Sequence, residues 1–315
     1  MKNTMKNRIP IIIDCDPGHD DAIALIMAFA SEKLKVLGVS VSAGNQTIEK
    51  TYTNARKIIS FLGKAPPLAK GASYPLVRRL EVAPSVHGES GLDGHVLPET
   101  DYTGVQESAW ELHRRLISES PEPVTFVATG PLTNLAILLL AYPEVKNNLK
   151  QICLMGGGID HGNWSSAAEF NILVDPEAAR IVFSCGVPIV MCGLDVTEKA
   201  MIFADEIEKL RKSEKRVAVL VAQLLDFFGR FHTDLGFGGA PIHDACTIAY
   251  LIKPELFKVC DYHVVIETQG KYTAGMTLAD KRVNNSKPQP NVTACMGVDR
   301  EGFVRLLEEC CLSYM

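Results

Sequence analysis

Short apolar runs suited to buried strands alternate along the chain with longer stretches of helical period. Ile9 to Ile13 reads as a buried strand, and Ala22 to Ala30 as the helix behind it. Leu34 to Val41 and Ile48 to Leu62 repeat the pair. Val124 to Ala128 and Ile152 to Met155 read as two further strands, with a helix at Leu132 to Leu140 between them. A helix at Pro176 to Ser184 precedes a strand at Val187 to Met191. Tyr262 to Glu267 is expected to be another strand, and Phe303 to Leu312 a closing helix. Strands that are apolar throughout, each followed by a helix, predict an α/β fold. Its mainly parallel, Rossmann-like central sheet would be flanked by helices on both faces.

No linker, low-complexity tract or internal repeat divides the 315 residues, which predicts a single domain over 1–315. Gly71 to Thr103, rich in Pro, Gly, Ser and His, is long for a structureless connection, so a functional loop or lid is expected there. In open α/β sheets ligands bind beyond the carboxyl ends of the strands. Polar residues collect at those ends: Asp14 and Asp16, Asn45, Thr129, Met155 with Gly156 to Gly158, and Asp195.

Composition narrows the function classes. A formal net charge of -5 argues against nucleic acid as a partner, which needs a basic stripe. No stretch approaches the ~20 apolar residues of a membrane span. The apolar run Ile11 to Ile13 behind the charged N-terminus is too short for a signal segment. Nine cysteines, an odd number with no CxxC or zinc-like spacing, read as reduced thiols of a cytoplasmic protein.

The chemistry starts at Asp14-Cys15-Asp16-Pro17-Gly18-His19-Asp20-Asp21. Asp14 and Asp16 are two apart on a strand, so both side chains can share a face. Asp20 and Asp21 open the next helix, where the dipole favours negative charge. Capping and turn roles account for Asp20 and in part for Asp21, but not for two carboxylates ending an apolar strand. So many close carboxylates require a cation, and calcium tolerates irregular oxygen cages better than magnesium. A magnesium-dependent phosphatase with an Asp-x-Asp strand end is the rival. Pro17-Gly18 in place of the usual Thr or Val, and the repulsion Asp20 and Asp21 would exert on phosphate, count against it. Met155-Gly-Gly-Gly fits neither GxGxxG nor GxxxxGK[ST], which excludes a nucleotide-phosphate loop.

The run DCDPGHDDAIAL resembles the signature of the inosine-uridine preferring nucleoside hydrolase family. AGNQT (43–47), HGESGLDG (87–94), TGPLTN (129–134), MGGG (155–158), AEFNILVDPEAA (168–179), GLDVT (193–197) and HDACTIAY (243–250) continue the resemblance in order over nearly the whole chain. KPELF and ETQGKYTAGMT look most like the bacterial pyrimidine-specific branch. The resemblance implies a nucleoside hydrolase fold and hydrolysis of ribonucleosides, uridine and cytidine first, to ribose and free base. It implies Ca2+ held by Asp16, Asp21, Asp244 and the Thr129 carbonyl, with Asp16 taking a proton from a calcium-bound water. Asp20, Asn45, Asn163, Glu169 and Asn171 would grip the ribose, helped by Asp244 and the Met155 backbone. His243 would protonate the base, and His87 would line the pocket. A homotetramer or homodimer is also implied.

The chemistry of the reaction agrees with that set. Breaking a ribosyl C–N bond builds oxocarbenium character, which surrounding negative charge stabilises. Calcium orients reactants but acidifies water weakly, so a neighbouring base is needed. Read alone, His243-Asp244 is an ordinary helix-start pair, Asn163 and Asn171 are turn formers, and Ser166 with Glu169 is a capping box. The segment 226–242 is expected to wall the base pocket. It offers Phe228, Phe231, His232 and Phe237 where family members often place Tyr or Trp. No role falls to His19, and His113, His161, His232 and His263 read as structural. A purine or broad-specificity hydrolase, and a non-catalytic ribose-binding protein, are the remaining alternatives.

Overall fold

The computed structural model describes residues 8–283 and 288–314; the charged N-terminal segment 1–7 lies outside them. The strands are β1 (Ile9–Cys15), β2 (Leu34–Val41), β3 (Leu68–Lys70), β4 (Val124–Ala128), β5 (Leu149–Met155), β6 (Ile189–Cys192), β7 (Met201–Ile202), β8 (Ala240–Pro241), β9 (Phe257–Tyr262), β10 (Val264–Ile266), β11 (Thr277–Ala279) and β12 (Val292–Val298). Eight of them form one sheet in the order β3-β2-β1-β4-β5-β6-β12-β9. All its ladders are parallel except the last, β12 with β9. The first six strands therefore follow the 3-2-1-4-5-6 order of doubly wound nucleotide-binding sheets. The chain reverses direction of travel between β1 and β4, and a crevice opens at their carboxyl ends.

Alternation along β1 splits its isoleucines between two cores. Ile11 and Ile13 face a cluster with helices His19–Ala30, Arg216–Asp234, Ala245–Ile252 and Arg300–Leu312. Ile12 faces the opposite cluster, with Phe126 and helices Ala109–Glu119, Thr133–Ala141 and Pro176–Phe183. Both faces of the sheet are covered, which is why its central strands carry no polar alternation.

The expected elements recur with small changes of boundary. The first helix begins at His19, not Ala22, because its first turn is made of the acidic residues. The strand expected at Tyr262 to Glu267 is corrected. Tyr262 ends the exposed antiparallel edge strand β9, and Val264–Ile266 pairs instead with β11 in a separate ribbon. The strand β12 and the helix Ala109–Glu119, which starts on a Ser108–Glu111 capping box, were not anticipated from the sequence. The 71–103 segment holds one helical turn, Pro84–His87. Among the described residues no helix is long and apolar enough to cross a membrane.

Candidate active site

The crevice is a cleft of about 760 Å³ including its mouth. All the residues expected to touch the metal, ribose or base line it except Asp16 and Asp21, which are buried beneath it. Carboxylate oxygens of Asp20, Asp21 and Asp244 all lie within 4.8 Å of one another. This triad includes Asp20, expected to serve the ribose, alongside the expected metal ligands Asp21 and Asp244, and leaves out Asp16, also expected as a ligand.

Local structure explains the convergence. β1 ends at Cys15, and Gly18 N–H donates to Asp21 Oδ2 at 3.0 Å, folding the turn back over the strand end. Asp21 Oδ1 accepts from the Thr129 hydroxyl at 2.8 Å, which ties β1 to β4 across the crevice. Asp16 Oδ2 accepts from Asn45 N–H at 2.7 Å, while its Oδ1 is buried with no partner. Asp244 caps helix Ala245–Ile252 in position, but its side chain makes no capping bond and is free for the crevice.

An unpartnered buried oxygen amid converging carboxylates is costly unless a cation or protons compensate. Without a cation, protons compensate. Burial raises Asp16 and Asp244 well above the usual carboxylate range, and repulsion within the cluster adds to it. Burial likewise raises Asp21 and lifts Asp20 to about 7. The donor set, all oxygen, buried and anionic when ionised, fits a hard divalent ion. Asp14 belongs to a supporting layer. Its Oδ1 accepts from Ser40 at 2.5 Å and Asn134 at 2.9 Å, and burial raises it to about 6.

The opposite wall is built after β5. Glu169 caps helix Phe170–Val174, accepting from Asn171 N–H at 3.0 Å and Ile172 N–H at 3.2 Å, and it also accepts from Gly157 N–H at 2.8 Å. Burial still lifts it to about 7. The Asn171 amide donates to the carbonyls of Thr129 at 3.0 Å and Met155 at 3.2 Å, linking the ends of β4 and β5. Asn163 Oδ1 accepts from Phe170 N–H at 3.0 Å. Asn45 reaches Asp21 Oδ2 through its side-chain amide at 3.2 Å.

The far end of the cleft is aromatic. Phe228, Phe231 and Phe237 line it as expected, and Leu235 joins them. His232 is corrected from structural to lining; its ring lies 5.9 Å from that of His243. His243 Nδ1 lies 2.8 Å from the Thr197 hydroxyl, and burial lowers the ring to about 3, so it is neutral. Trp164, Phe170 and Glu198 also line the cleft and were missed. Trp164 follows Asn163 directly, so a lone tryptophan beside an expected sugar contact was the available signal. Asp195 stays outside, accepting from Ile159 N–H at 2.7 Å and Asp160 N–H at 3.1 Å.

Comparison with known proteins places this geometry. The sequence pattern of the inosine-uridine preferring nucleoside hydrolases matches residues 11–305. Pyrimidine-specific ribonucleoside hydrolase RihA of Citrobacter koseri is 52% identical over 304 residues, 96% of this chain and 97% of the relative. The same-named protein of Salmonella typhi matches equally, at 52% over 304 residues, with the same coverage of 96% and 97%. Among solved structures, a purine-preferring ribonucleoside hydrolase from Gardnerella vaginalis superposes with a TM-score of 0.90 at 29% identity, covering 97% of this chain and 99% of its own. An inosine-guanosine nucleoside hydrolase gives 0.91 at 25% identity, covering 98% and 100%.

Proposed function

The chain belongs to the inosine-uridine preferring nucleoside hydrolase family and is an enzyme that hydrolyses ribonucleosides to ribose and free base, and we propose that its substrates are the pyrimidine ribonucleosides uridine and cytidine. The observation that carries the catalytic reading is the Asp16 carboxylate, held through Oδ2 and bare at Oδ1 beside Asp20, Asp21 and Asp244. Asp16, Asp21, Asp244 and the Thr129 carbonyl would hold Ca2+. When bound, that ion would orient water and sugar hydroxyls and would supply positive charge to the carboxylate floor.

The chain's own residues do the rest. Asp16 Oδ1 accepts the proton of the attacking water. Asp20, Asn45, Asn163, Glu169 and Asn171, with Asp244 and the Met155 carbonyl, bind the ribose, so that binding energy positions the anomeric carbon. The ionised floor stabilises the oxocarbenium charge as the C–N bond breaks. Phe228, Phe231, Phe237 and Trp164 enclose the base and keep water from it. Neutral His243, with His87, faces the nucleoside and assists the departing base.

The pyrimidine preference is supported by the identity to the RihA relatives. A homo-oligomer, tetramer or dimer, working in cytoplasmic nucleoside salvage completes the proposal; the nine unpaired cysteines suit that compartment. The test is a panel of uridine, cytidine, inosine and adenosine, with and without a chelator. Release of uracil and cytosine, abolished by the chelator and restored by calcium, is expected. Inosine turned over faster than uridine would replace the pyrimidine reading with a purine one. Absence of turnover in the native chain, with uridine affinity that Asp16→Ala leaves intact, would make the protein a binder.

A further inference from the structure

His19 and His87 face each other beside the cleft, with their Nδ1 atoms 3.2 Å apart. The other ring nitrogen of His19, Nε2, lies 2.7 Å from the Asp93 carbonyl. A carbonyl only accepts, so His19 Nε2 carries a hydrogen. His19 is 0% exposed. Its ring stacks on Phe227 at 5.1 Å and on Phe228 at 5.6 Å. An imidazole in such an apolar stack is neutral, so its Nδ1 is a bare lone pair.

Two lone pairs at 3.2 Å would repel, so the hydrogen between the rings belongs to His87. Reversing the chain would set a bare His19 Nε2 against the Asp93 carbonyl at 2.7 Å and lose the shorter bond. The one competing donor, the His19 backbone N–H, stands 3.5 Å from His87 Nδ1, at the outer limit of a hydrogen bond. Burial pushes His87 well below the usual histidine range, which keeps it neutral too. Its Nδ1 protonated, its Nε2 is bare. That nitrogen has no hydrogen-bond partner among the described residues, on a ring that lines the cleft. Gly18 permits the arrangement, since a Cβ there would lie 2.5 Å from His87 Nδ1.

We propose that His19 is a positioning residue that fixes the tautomer of His87, so that His87 Nε2 meets the nucleoside as a hydrogen-bond acceptor. The nucleoside must then offer a hydroxyl or N–H there, and an analogue with an acceptor at that point is disfavoured. This rests on the reading above that His87 touches the nucleoside.

The experiment is ring nitrogen-15 NMR of the full calcium-loaded chain, with His87 assigned by the signals that His87→Ala removes. A protonated Nδ1 and bare Nε2 on His87 in the native chain are expected, and loss of that preference in His19→Phe. Kinetically, His19→Phe should lower kcat/KM for uridine about tenfold, the size of one lost hydrogen bond. In a His87→Ala background it should cause no further loss. His19→Asn, whose amide oxygen can still accept from His87, should recover part of the activity.

A protonated Nε2 on His87 in the native chain overturns the proposal, and this readout holds even where His19→Phe does not fold. Losses that multiply in the double variant also overturn it, leaving His19 as packing for the loop. Unchanged kcat/KM in His87→Ala removes the nucleoside contact beneath it, while the native spectrum still reports the tautomer.

Discussion

The backbone amide of Asn45 donates to one carboxylate oxygen of Asp16 at 2.7 Å and leaves the other oxygen buried and bare. One oxygen fixes the side chain and the other is available for chemistry. Asp16→Asn keeps the shape and an acceptor for Asn45 but removes the base. The expected loss in kcat is about 10²–10⁴, the range of general-base contributions. Ribose release under saturating uridine measures it, with circular dichroism to show the fold intact. A loss of less than tenfold would assign the base elsewhere.

A Cβ at Gly130 would stand 2.5 Å from the bare Asp16 Oδ1, and one at Gly44 would meet Asp16 Oδ2. Both glycines hold open the space around the carboxylate. Gly130→Ala is therefore expected to turn Asp16 aside and weaken calcium binding by about 10–100-fold, as for other groups that orient ligands. Isothermal titration with calcium measures it. Unaltered affinity would show that Asp16 does not belong to the metal cage.

Burial raises Asp14 to about 6, and Asp20 and Glu169 to about 7. In the metal-free chain the folded state thus holds protons that the unfolded state has released between about pH 4 and 7. The sign follows: the stability these carboxyls contribute is full below about pH 4 and is lost as pH rises through about 6 to 7. Calcium favours the ionised folded state and reverses the trend. Buried His19, His113 and His243, lowered to about 4, 3 and 3, act in the opposite sense below about pH 6.5, so the readout is the difference calcium makes: in melting scans, added calcium should raise Tm more at pH 7.5 than at 5. A calcium shift independent of pH would contradict this protonation scheme.

The carboxylate cluster and the wall of Glu169 and Asn171 are legible in the sequence because each is local, whereas the roles of Asn45, Thr129 and Asp244 beside them come only through the family resemblance. Asp14 to Asp21 span one strand end and one helix start, and Glu169 and Asn171 share one helical turn. The aromatic end of the cleft is only partly legible, since its members meet through tertiary packing. Nothing in the spacing of Trp164 and Phe228 brings them to one cleft, and His232 reads as any helix histidine. His19 carries no signal in the sequence for a similar reason: its partners His87 and Asp93 lie 68 and 74 residues away. In the fold, buried strands were plain, whereas β9 and β12 were not. Their pairing is non-local, and β9 is exposed on most of its length, so it lacks the apolar run that marked the others.

The two halves of the cleft hang from different scaffolding. Asp16, Thr129 and Met155 sit at the carboxyl ends of three adjacent strands of a sheet covered on both sides, where a shift of one residue disturbs every neighbour. Phe228, Phe231, His232 and Phe237 come from the last turns of one helix and the loop after it. Under the proposed assignment of the cleft, substitutions there are expected to alter what it accepts while the carboxylate floor stays as it is. On that assignment, a lineage carrying this fold would change its diet of bases by remodelling one helix tip, without reinventing the hydrolysis.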